Sequence, residues 1–100
     1  MRVYLVCLET VPFRRIQGFA ERLSDCSDGF QPVTREVWLV GSHKHDANFW
    51  RDTLAPLLSE RDLLLIVEMA GGYSGNCPKQ IWDWLKQASE LGAFSGDRKS

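Results

Sequence analysis

A chain of 100 residues holds one domain and leaves no room for a second. With 44% hydrophobic and 25% charged residues, it can bury a core without disulfides or a structural metal. A formal net charge of −1 excludes a strongly basic protein that coats polyanions, because there is no surplus of Lys and Arg to release counterions.

Residues 3–8 (VYLVCL) are continuously apolar and rich in β-formers, which predicts a buried strand closed by Glu9 and Thr10. Pro12 suits a first helical turn, and Phe13, Ile16, Ala20 and Leu23 then recur at helical spacing between polar residues. The stretch DCSDG is turn chemistry. Two β-rich stretches follow in FQPVTREVWLVGS, read as a hairpin turning near residues 34–36. Pro32 confines the first of them to a strand end, an edge or a bulge. Asp46 is placed to cap the next helix, whose apolar face is Trp50, Leu54, Leu57 and Leu58. Pro56 predicts a kink or a tightened last turn. Residues 63–67 (LLLIV) read as a second buried strand, and a glycine-rich loop leads to Pro78. Ile81, Trp84, Leu85 and Ala88 mark a final amphipathic helix.

The predicted order is β-α-β-β-α-β plus one helix, the split βαβ pattern of a ferredoxin-like sandwich. The expected fold is therefore α+β, with a four-stranded antiparallel sheet and an added C-terminal helix. One domain is expected over residues 1–91 and a frayed tail over 92–100. The strands at 3–8 and 63–67 are apolar on both faces, so two helices on one side leave a face to cover. Either the last helix or another subunit covers it. Strand 63–67, unblunted by Lys or Pro at a sheet edge, predicts a homodimer. Cys7, Cys26 and Cys77 are odd in number, which rules out a complete intrachain disulfide set. Met1 and Arg2 lead into an apolar run too short for a secretory core or a membrane span, and the expected compartment is the cytoplasm.

The segments YLVCLET, EVWLVGS, LAPLLSERDLLLIVEM and IWDWLKQ resemble the CRISPR-associated spacer-integration proteins of ferredoxin-like fold and their SinR-like relatives. The resemblance spans most of residues 3–87. It implies a small dimer associated with RNA or DNA, acting as a scaffold or as a divalent-metal-dependent endonuclease. It also implies that Glu9 stands where the family carries an acid, usually Asp, at the end of the first strand. Symmetry in a dimer then brings two such acids around Mg²⁺ or Mn²⁺, although Glu adds a methylene. Some members of the family serve only as a structural dimer, so the alternative is a non-catalytic module with a protein partner.

Other candidates come from the residues themselves. Arg14, Arg15 and Lys44, with Arg51 beside them, offer a phosphate-contacting surface that Tyr73 or Trp50 extends by stacking. The competing reading of this set is a solvated helix face. His43 and His45 alternate in HKHD and can share a metal, but a zinc site needs three or four protein ligands. GGYSGNCP lacks both the Walker ending and the dinucleotide glycine spacing, so it reads first as a turn and second as an anion cradle. Cys7 reads as an inert core residue, while Cys26 and Cys77 lie in loops without an activating base.

Overall fold

The computed structural model describes residues 1–10 and 16–90. The described elements run β1 (Arg2–Glu9), α1 (Ile16–Cys26), β2 (Gly29–Thr34), β3 (Val37–Ser42), α2 (Ala47–Leu54), a 3₁₀ turn (Ala55–Leu57), β4 (Leu63–Glu68) and α3 (Lys79–Glu90). The strands form one four-stranded antiparallel sheet in the order β2-β3-β1-β4. The class is α+β, with the apolar β1 run in the middle and β3 beside it, as the sequence predicts. Pro12 and Phe13, the predicted start of the first helix, lie outside the described residues, as do residues 92–100.

Alternation along β1 sorts its side chains onto two faces. Tyr4, Val6 and Leu8 enter the larger core with Phe19 and Leu23 of α1 and Trp50 and Leu54 of α2. Val3 enters a second core with Leu39 of β3 and Ile81, Leu85 and Ala88 of α3. Because β1 feeds a core on either side, its sequence reads as an unbroken apolar run. Phe19, only 1% exposed, is a core residue that the Phe13–Ile16–Ala20–Leu23 spacing passed over.

Local chemistry fixes the ends of the elements. β2 is an outer strand, and its register shifts between Pro32 and Thr34, where the proline has no N–H to give. The Asp46 carboxylate accepts from the Phe49 N–H at 2.9 Å, capping α2. Pro56 falls in the 3₁₀ turn after α2, the tightened turn its position predicts. Gly75, with φ of +153°, sits in the loop before α3 in a conformation that side chains strain to adopt. Among the described residues, no helix is long and apolar enough to cross a membrane.

Candidate functional site

The sheet face opposite α1 and α2 is only partly covered by α3. Register places Leu5, Cys7 and Glu9 of β1 opposite Val67, Leu65 and Leu63 of β4, so these six share that face. α3 seals the Val3 and Leu39 end, where Trp84 lies 3.2 Å from the position of a Cβ on Gly29. The β4 end stays open and is not the buried strand its apolar run predicts: Leu63, Leu65 and Val67 are 65%, 60% and 43% exposed, because α3 stops short of this outer strand. Isolated exposed leucines are ordinary, but three alternate residues on one strand make a contiguous apolar stripe.

Glu9 ends β1, exposed to solvent, and rims a groove shared with Cys7, Glu36, Leu63 and Leu65. Cys7 is half-buried and lines this groove, so it is less enclosed than a core residue. Two carboxylates, Glu9 and Glu36, therefore border the apolar stripe at one end of the sheet.

Lys44 lies at the other end. Arg2 pairs with Ser42 across β1 and β3, and Lys44 follows two residues later. β1 separates that end from Glu9 by seven residue steps, about 23 Å. Lys44 and Glu9 are therefore not brought together. Arg14 and Arg15 lie outside the described residues.

The loop carrying Lys44 is pinned. The buried Ser42 hydroxyl accepts from the Lys44 and His45 N–H groups at 3.2 and 2.9 Å. The Asp28 carboxylate accepts from the His43 N–H at 2.7 Å, and the Tyr4 hydroxyl donates to the His45 carbonyl at 2.9 Å. Burial pushes the Tyr4 phenol above its ordinary pKa, against the lowering effect of its hydrogen bond with Arg2. The His45 ring stacks on Phe49, with centroids 3.5 Å apart. Among the described residues, no group of three or more His, Cys, Asp or Glu is arranged to hold a metal.

Trp50 is not a stacking surface. It is fully buried beneath Tyr4 and His45, and its Nε1 has no hydrogen-bond partner among the described residues. Its place on the apolar helix face with Leu54 is the sequence signal for the core role, and the stacking reading of Trp50 is withdrawn. Tyr73 is 41% exposed and lies nearly parallel to Trp82 at 6.2 Å, while Trp82 Nε1 donates to the Cys77 carbonyl.

No family model, curated protein or solved structure matches the chain.

Proposed function

We propose that the chain is a homodimeric, non-catalytic interaction module of ferredoxin-like fold, of the kind seen in structural-dimer members of the CRISPR-associated integration proteins and their SinR-like relatives. The strand order β2-β3-β1-β4 supports the ferredoxin-like reading. The observation that carries the dimer is β4, an outer strand whose Leu63, Leu65 and Val67 face solvent. Burying a whole Leu or Val side chain stabilises by about 1.5–3 kcal/mol. At the observed exposures the stripe holds roughly 2.5–5 kcal/mol per protomer, which two copies supply twice. Association costs about 4–15 kcal/mol, so covering the two stripes offsets the lower part of that cost and further contacts along the strand set the affinity. Three free cysteines agree with the cytoplasm as the working compartment.

A second reading rests on the position of Glu9 beside Leu63 and Leu65. A dimer packed face to face over this groove would let two Glu9 carboxylates approach a Mg²⁺ or Mn²⁺ ion that activates water against a phosphodiester. RNA or DNA is then the substrate, and Arg14, Arg15 and Lys44 are its phosphate contacts. A cleavage assay on short RNA and DNA with either metal, run beside light-scattering mass measurement, tests both. A dimer that leaves both nucleic acids intact supports the first reading. Metal-dependent cleavage lost in Glu9→Gln replaces it with the second.

A further inference from the structure

The backbone of β4 fixes which of its groups are free. The Met69 N–H donates to the Val3 carbonyl at 2.8 Å, and the Leu8 N–H turns the other way, to the Glu36 carbonyl at 2.8 Å. In an antiparallel ladder, bonded and non-bonded pairs alternate. Leu63, Leu65 and Val67 therefore bond to β1. Leu64, Ile66 and Glu68 turn their N–H and C=O groups to the open side, where no strand lies among the described residues.

We infer that two copies join along this edge, β4 against β4, into one continuous eight-stranded sheet with the two-fold axis at Ile66. The inference rests on the dimer proposed above and specifies its geometry. An antiparallel strand pair of identical sequence is self-complementary, as a two-fold contact requires. Keeping the two faces matched allows registers that differ by whole steps of the pleat. Centring on Ile66 sets Leu64 opposite the partner's Glu68 and uses all three free residues twice. Centring on Leu65 sets Glu68 opposite Asp62, and centring on Leu64 sets it opposite Glu60, like charges in both cases. Centring on Val67 leaves Leu64 facing Ala70, beyond the end of β4.

Charge on the helix side selects the same register. Glu68 pairs with Tyr4 across the ladder and so lies on the face of α1 and α2. Beside Leu64, where the partner's Glu68 arrives, a groove is lined by Ala47, Asn48, Arg51 and Ile66. Among the described residues Arg51 pairs with the exposed carboxylate of its neighbour Asp52 at 3.0 Å, and it stands in this groove as a cation for the incoming Glu68, which in its own protomer lies 3.8 Å from Arg2. On the opposite face, Leu65 meets the partner's Val67 and Leu63 meets the partner's Met69, so the apolar stripe covers its own flank.

This geometry also decides between the two functional readings. The two Glu9 residues fall about 20 Å apart along the strands and about 14 Å apart across them, about 25 Å in all. Carboxylates at that distance share no metal ion.

Cysteine pairing across the edge tests the register. Leu65→Cys and Val67→Cys are made in full chains carrying Cys7→Ser, because Cys7 faces Leu65 within the protomer. Each is oxidised mildly, alone and after mixing under reducing conditions, with the Cys7→Ser chain as background. The mixture is expected to yield at least tenfold more covalent dimer than either variant alone. In the wild-type chain, exchange of the Leu64, Ile66 and Glu68 amides is expected to slow as concentration rises. If the wild type sizes as a dimer but Leu65→Cys links to itself, or the three amides keep a constant rate, the edge geometry is overturned while the dimer stands. If it sizes as a single chain at all micromolar concentrations, both fall.

Discussion

Replacing Leu65 by Lys separates association from folding. The side chain is 60% exposed in the protomer, so it contributes little to either core. A substitution at so open a position changes protomer stability by about 0.5 kcal/mol or less. Strand pairing covers the flank of Leu65 and not its outer face, so each copy loses about half of the roughly 1–2 kcal/mol that full cover would give, and two-fold symmetry brings the loss to about 1–2 kcal/mol. The dissociation constant then rises about 5-fold to 30-fold. Lysine is also the residue that blunts open strand edges elsewhere. Sedimentation equilibrium of wild type and variant is the assay, with circular dichroism confirming that the variant folds. The expected pair is a self-associating wild type and a folded variant that associates more weakly by that factor. A folded variant with unchanged association would refute the stripe as the joining surface.

Arg51→Ala removes the proposed partner of Glu68 twice per dimer, and an exposed pair of this kind gives a loss of about 1 kcal/mol or fivefold in dissociation constant. Asp46→Ala deletes the α2 cap, costs about 1 kcal/mol and lowers the melting temperature by about 4–8 °C in thermal denaturation. Phe19→Ala empties a core position and costs about 3–5 kcal/mol, read from urea unfolding. Of the two tyrosines, Tyr4 ionises later than the ordinary value of 10.0, so alkaline titration shows a late phenolate step that Tyr4→Phe abolishes. The folded state holds that proton more tightly, so this contribution to stability is complete below pH 10 and is lost as pH rises through the raised value.

Elements set by local chemistry were legible in the chain. Pro32 marked an outer, bulged strand, Asp46 a cap, and Pro56 a tightened turn, because each acts through its own backbone or its nearest neighbours. The apolar β1 run announced burial on both faces, and its two cores supply it. Phe19 was within reach, since it stands four residues before Leu23 on one helix face. The separation of Lys44 from Glu9 was harder to judge. It depends on strand direction: in the antiparallel β1–β3 pair, the end of one strand is the beginning of the other. Spacing along the chain carries no record of that. The burial of Trp50 followed from its place on the apolar helix face with Leu54, but its packing against Tyr4 and His45, which arrive from distant segments, did not.

The proposal stands or falls on whether two copies associate. Sedimentation equilibrium of the wild-type chain across roughly 1–100 µM, net association energies of about 5–8 kcal/mol, is the direct test. The expected result is a mass approaching two chains as concentration rises through that range. A constant mass of one chain throughout would contradict the dimer and everything built on β4.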